Sequence, residues 1–351
     1  MKKIILFLIV ICCSLQVQAG SIEKIIFFGD SLSDNGNLYN LFLKQLPKSP
    51  PYFNGRFSNG KIWSETIGEF YNKRDGIPYS IYAVGGATVL VHMPSTKFIS
   101  PSTLKLQVAH YILDSIFRDR SNVLFVIWIG GNDYLFDEKT NPEDVVNKMK
   151  NTMGTLIDRG AKNFLVLNLP DLAKTPRASA EGNGNLLSAL SKSHNEKLAV
   201  MLAQMRNDHP DVKFHFMDIY TLFNDVIDNP EKYNKKYNTT IKNTKLACWT
   251  GGVTLQEGMN DQTFKQEWHR AALANVQSEA SQYDAQLVEN SIMKSPSLSA
   301  AYRVGKAYEK GATPCANPDE YLFWDEVHPS QSIHRVLSEL VVEKLSQNVL
   351  R

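Results

Sequence analysis

Four cysteines in 351 residues are too few for a disulfide scaffold, and two of them, Cys12 and Cys13, lie in an apolar stretch near the amino terminus. Beyond that stretch no apolar run reaches the roughly 20 residues that a membrane-spanning helix needs. The eight histidines form no His-Glu-x-x-His pair, and Glu267-Trp268-His269 reads as a polar helix face, so the signature of metal-dependent hydrolysis is missing. Gly182-Asn183-Gly184-Asn185 lacks a following Lys-Ser/Thr and follows no strand, which makes it a turn and not a phosphate cradle. The residues therefore imply neither a metal nor a cofactor.

Charge of either sign is also not in excess. Lys2 and Lys3, the apolar run 4–13 and Val17-Gln18-Ala19 have the order of a cleaved secretory signal, residues 1–19. Its removal leaves 36 basic against 36 acidic residues. A neutral chain has no broad electrostatic reason to seek nucleic acid or an acidic membrane surface. The expected location is outside the cytoplasm, periplasmic or extracellular. There the remaining pair, Cys248 and Cys315, is most simply a disulfide.

What is present is an alternation of short apolar runs with helical periodicity. Runs at 24–28, 79–83, 123–129, 163–167 and 213–218 are apolar at their centres instead of alternating, as strands covered on both faces are. Helical patterns at 104–117, 142–159, 186–207 and 330–347 lie between and after them. The pattern predicts an α/β fold on a mainly parallel five-stranded sheet, one domain over 20–351. Residues ~229–316 read as an insertion, polar and loop-like around 235–240, then helical over 261–293 and 300–310. Cys248 and Cys315 bracket most of it.

Three polar sites follow predicted strands, at the sheet edge where α/β folds assemble their sites. Ser31 stands in Gly29-Asp30-Ser31-Leu32-Ser33-Asp34-Asn35, a small, turn-forming stretch that exposes one hydroxyl. Ser33 is its rival as a nucleophile. Gly85-Gly86 lets backbone approach a ligand, and Asn132 in Gly130-Gly131-Asn132-Asp133 offers an amide donor. Near the other end, Asp325 and His328 stand three apart, so that a carboxylate reaches the ring of a base. A nucleophile, a base, an orienting acid and oxyanion donors are the parts of serine-based acyl transfer. The serine lacks the Gly-x-Ser-x-Gly elbow of α/β-hydrolases, so a different architecture is required.

These four blocks, with Tyr82–Thr88 around the glycines and Phe323-Trp324-Asp325-Glu326-Val327-His328-Pro329 at the end, resemble the GDSL, or SGNH, hydrolase family. The resemblance implies a three-layer α/β/α sandwich. It implies Ser31, Asp325 and His328 as the catalytic set, and the Ser31 N–H, Gly85 N–H and Asn132 amide as the oxyanion hole, with Gly85 favoured over Gly86. The long blocks, the export signal and the stretch 317–324 are similar to the bacterial secreted phospholipase A, lysophospholipase and glycerophospholipid–cholesterol acyltransferase group. That likeness implies a lipid or lysophospholipid substrate met at a membrane surface and a sterol as a second acyl acceptor. It also implies a disulfide-bounded loop that a secreted protease cuts to raise activity. A lid is the other expected role for the insertion. A carbohydrate acetyl esterase is the competing expectation, because the same catalytic set serves it.

Overall fold

The computed structural model describes residues 22–41, 44, 46–91, 102–136, 139–250 and 313–350. The expected signal at 1–19 and the expected helices at 261–293 and 300–310 lie outside these residues, as do the lid and protease-sensitive loop assigned to that stretch.

Five parallel strands make the central sheet: β1 (Lys24–Gly29), β2 (Tyr79–Ile81), β3 (Val123–Trp128), β4 (Asn163–Leu167) and β5 (Lys213–Met217). Their order is β2-β1-β3-β4-β5, so β1 and β3 are interior and the Ser31 and Asn132 segments that follow them are neighbours. The helices are α1 (Asn37–Leu41), α2 (Trp63–Asp75), α3 (Leu104–Asp114), α4 (Gly131–Leu135), α5 (Pro142–Ile157), α6 (Pro176–Glu181), α7 (Gly184–Asp208), α8 (Ile219–Asp228), α9 (Pro230–Tyr237) and α10 (Gln331–Asn348).

The all-apolar strands bury both faces. On one side Ile26, Phe28, Phe125, Ile127 and Phe164 pack with Val108 of α3, Met149 of α5 and Leu198 of α7. On the other, Ile25, Phe27, Leu124, Val126 and Leu165 pack with Ile67 of α2, Phe223 of α8 and Leu337 of α10. This is a three-layer α/β/α sandwich, and the alternation of neighbours along each strand follows from the period of two.

The strand expected over 79–83 is shorter and half-buried, because β2 is an edge. The helix expected over 104–117 stops at Asp114, where the Ser115 hydroxyl donates to the Tyr111 carbonyl. The loop expected around 235–240 begins inside a helix, which takes in residues 235–237. Pro230 starts α9, where a missing N–H costs nothing, and Tyr233 and Tyr237 are buried one turn apart. After it β6 (Asn243–Ala247) pairs in parallel with β7 (Tyr321–Phe323) as a second, two-stranded sheet. Residues 230–249 are thus part of the packed body, since Ile241, Cys248 and Trp249 are buried as well. Cys248 and Cys315 form a disulfide, with the Cys315 N–H donating to the Cys248 carbonyl.

Candidate active site

The turn after β1 begins with a close approach. A Cβ on Gly29 would lie 2.6 Å from the Trp128 carbonyl oxygen, so no larger residue fits between β1 and β3 at this point. Gln107 of α3 fixes the same residue from both sides: the Gly29 N–H donates to Gln107 Oε1 (2.9 Å) and Gln107 Nε2 donates to the Gly29 carbonyl (2.7 Å). The chain then turns through 30–33, with the Ser33 N–H on the Asp30 carbonyl. Ser33 points away from the cleft, its hydroxyl oxygen accepting the Trp63 indole N–H at 3.2 Å. Ser31 is the serine left facing outward from this turn.

Asp325 and His328 reach it from β7. The Trp324 N–H donates to the His328 carbonyl and closes the loop, while Asp325 Oδ1 accepts the Val327 and His328 N–H groups. His328 Nε2 is 2.8 Å from Ser31 Oγ, and Nδ1 is 2.7 Å from Asp325 Oδ2. Burial alone would raise the Asp325 carboxyl, but the His328 ring, the Tyr52 hydroxyl and the Val327 N–H outweigh it and hold it below its ordinary value. Asp325 is therefore an anion behind the ring, able to fix the tautomer and stabilise an imidazolium.

The three expected oxyanion donors fare differently. The Ser31 N–H has no acceptor among the described residues. Asn132, at the start of α4, spends one amide hydrogen on the Ala87 carbonyl (2.9 Å) and keeps the other, lining the same cleft as Ser31 and His328. Gly85 requires a correction. Its N–H donates to Asp34 Oδ2 at 2.7 Å inside the protein, so it does not face the oxyanion position. The adjoining Gly86, at φ 74°, carries an N–H with no acceptor among the described residues and is the member of the pair free to serve.

Several residues that hold the site were not singled out from sequence. Asp34 accepts four N–H groups, those of Gly36, Asn37, Leu38 and Gly85, and burial nonetheless pushes its carboxyl up to about 6. The Asn37 amide donates to the Ile81 and Ala83 carbonyls, pinning the glycine loop to the serine loop. Asp133 holds the same loop from β3's side by accepting the Val89 and Leu90 N–H groups. Asp30 is buried beside Ser31, and that burial lifts its carboxyl to about 7 against the Leu32 N–H and the His328 ring. Tyr52 donates its hydroxyl to Asp325 Oδ2 at 2.6 Å. Asp34 sits inside the serine block and Asn37 two residues beyond it, which was a usable signal. Tyr52 carries none, being 273 residues from its partner.

A cleft of about 720 Å³, counted out to its open mouth, runs from Ser31 and His328 between Leu32, Leu169, Leu172, Phe223 and Ile227. Its walls are mainly apolar, with Lys174 and Asp171 among the polar residues. Among the described residues no cluster of His, Cys, Asp and Glu is placed to hold a metal ion. The arrangement can deprotonate a hydroxyl, hold an apolar chain beside it and stabilise an oxyanion.

The sequence model of the GDSL-like lipase/acylhydrolase family matches residues 25–341. A phosphatidylcholine-sterol acyltransferase from Aeromonas hydrophila is 28% identical over 336 residues, covering 93% of this chain and 92% of that protein. A thermolabile hemolysin from Vibrio parahaemolyticus is 25% identical over 330 residues, 93% of this chain and 65% of the relative. Among solved structures, the carbohydrate acetylesterase Est24 from Sinorhizobium meliloti aligns over 55% of this chain and 83% of its own, at 18% identity and a TM-score of 0.38.

Proposed function

The chain belongs to the GDSL-like lipase/acylhydrolase family, and on that premise we propose that it is an exported serine acyl hydrolase of lipid esters, a lysophospholipase A and phospholipase A. The observation that carries the reading is Ser31 Oγ at 2.8 Å from His328 Nε2 at the head of an apolar cleft. A cleft walled by leucine, isoleucine and phenylalanine gains about 0.8 kcal/mol for each methylene it takes from water, so it favours a long acyl chain over an acetyl group. The relative named for phosphatidylcholine and sterol supports the same class of substrate and suggests the sterol as a second acceptor. The disulfide supports export to an oxidising compartment.

In this mechanism Ser31 Oγ attacks the ester carbonyl carbon as its proton passes to His328 Nε2, and the Asp325 carboxylate stabilises the imidazolium. The oxyanion is held by the N–H groups of Ser31 and Gly86 and by the Asn132 amide. Collapse breaks the carbon–oxygen bond to the leaving alcohol, which takes the proton from His328. Water then attacks the acyl-serine with His328 again as base, releasing the fatty acid. Where an alcohol displaces that water, the product is a new ester.

The test is to incubate the purified protein with lysophospholipid, diacyl phospholipid and an acetylated sugar, and to measure the acid released. Fatty acid release that Ser31→Ala abolishes is the expected result. A sharp preference for the acetyl ester would replace the lipid reading with that of a carbohydrate acetyl esterase.

A further inference from the structure

Residues 52–59 form a strap that touches residues 325–331 at four points. The Tyr52 hydroxyl meets Asp325 Oδ2, and the Phe57 ring lies 5.0 Å from the His328 ring between centroids. The Ser58 hydroxyl donates to the Pro329 carbonyl at 2.9 Å, and Asn59 Oδ1 accepts the Gln331 N–H at 2.7 Å. Three of these contacts hold backbone or ring in place. Only Tyr52 touches the carboxylate that orients the base.

We propose that Tyr52 is a positioning residue of the catalytic acid, its hydroxyl fixing the Asp325 carboxylate and sharing the negative charge that faces His328. Three observations carry this. The bond is 2.6 Å long and both residues are buried, at 2% relative exposure each, so water does not compete for it. Asp325 Oδ1 accepts two backbone N–H groups and shares the His328 ring at 2.9 Å, whereas among the described residues Oδ2 has only the ring, at 2.7 Å, and this hydroxyl, so Tyr52 offsets the two backbone bonds on the other oxygen. The Tyr52 ring is itself fixed, tilted against Phe57 at 5.9 Å and edge-on to Trp324 at 6.4 Å. A rigid ring places its hydroxyl without further loss of side-chain freedom.

The consequence has a sign. A hydroxyl that shares the charge of Asp325 weakens the pull of that carboxylate on a proton held by His328. Removing it concentrates charge opposite Nδ1, stabilises the imidazolium and moves the acid limb of turnover to higher pH. Other charged or titratable groups act electrostatically on the same ring: Asp30 from the turn after β1, His334 from α10, and Glu326 on its own loop with Arg177 bound to it. Tyr52→Phe substitutes none of them, so all are present in both proteins compared.

This role rests on the serine-hydrolase reading, and the experiment separates the two. The full chain is assayed across pH on an aryl ester of a short fatty acid as wild type, Ser31→Ala, Tyr52→Phe and Ser58→Ala. Tyr52→Phe keeps the ring and its packing, and a thermal melt verifies that it is folded. We expect kcat to fall roughly tenfold at unchanged KM, and the acid limb to rise by about half a pH unit. Ser58→Ala loosens the same strap and should leave the limb in place. An unmoved limb in Tyr52→Phe overturns the proposal, as does an equal shift in Ser58→Ala. Retained hydrolysis in Ser31→Ala overturns the underlying reading, and this role with it.

Discussion

The Gly85 N–H is held 2.7 Å from Asp34 Oδ2, and that bond takes Gly85 out of the set of free donors near Ser31. Gly85 is drawn inward as one of four N–H groups on a single buried carboxylate. Its neighbour Gly86 has a positive φ, and its N–H has no acceptor among the described residues. Asp34→Asn replaces two acceptor oxygens by one and points an NH2 at N–H groups. Urea unfolding should show a loss of about 3 kcal/mol, and turnover should drop about 10²-fold as the glycine loop drifts. A variant as active and as stable as wild type would show that Asp34 does not set the loop.

Ser31 and Ser33 are two residues apart and have opposite fates. Ser31→Ala should lower turnover by about 10⁶, the cost of removing a nucleophile that acts together with its base. Ser33→Ala should keep the chemistry and lose about 1 kcal/mol of stability, because it removes the acceptor of the Trp63 indole N–H. Trapping of the acyl group on the intact protein, followed by mass spectrometry, identifies the serine directly.

Asn132 tests the oxyanion hole. Asn132→Ala deletes the amide hydrogen that faces the cleft together with the one that holds the Ala87 carbonyl. Turnover should fall about 10²–10³-fold with KM little changed, since the bond strengthens only as charge develops. A rise in KM at constant kcat would place Asn132 in ground-state binding instead.

Stability against pH has a compensated form. Burial lowers His194 and His334 to about 3, so each is neutral when folded and takes up a proton on unfolding below its ordinary 6.5. Their stability is present above pH 6.5 and is lost as pH falls towards 3. Burial raises Asp30 and Asp34 to about 7 and about 6 from 3.8, so each releases a proton on unfolding between those values. Their stability is present below pH 3.8 and is lost as pH rises through 6 and 7. Between about pH 4 and 6 the two pairs oppose each other with nearly equal slopes. His194→Gln should tilt the curve towards greater stability in acid by about 1.4 kcal/mol per pH unit, and Asp30→Asn should tilt it the other way. Urea titrations at a series of pH values read both slopes.

The Cys248–Cys315 bond closes a separation of 67 residues next to the loop that bears His328. Replacing both cysteines by serine should cost about 4 kcal/mol on the chain-entropy account. Activity of the surviving folded fraction should fall less than stability does, because β6 and β7 still pair and the Trp324 N–H still closes on the His328 carbonyl. Unfolding monitored with and without a reductant measures the first effect, and active-site titration measures the second.

Much of the architecture could be read from the chain because its causes are local. Strands buried on both faces must be apolar throughout, so β1, β3 and β4 announced themselves, as did the serine block after β1, the asparagine block after β3 and the Asp-x-x-His block near the carboxyl terminus. Elements whose burial depends on distant partners did not. The helix α9 is polar except for two tyrosines, and only the body it packs against makes them core residues. The sequence determined the sheet and the residue types brought together at the site, since periodicity and turn chemistry act over a few residues. Only the tertiary structure decided that Ser33 faces inward, that Asp34 takes Gly85 and leaves Gly86, and that a tyrosine 273 residues away closes on Asp325. Each of these depends on where one hydrogen-bonding group finds its partner, and a linear pattern does not specify that when the partner lies on another element.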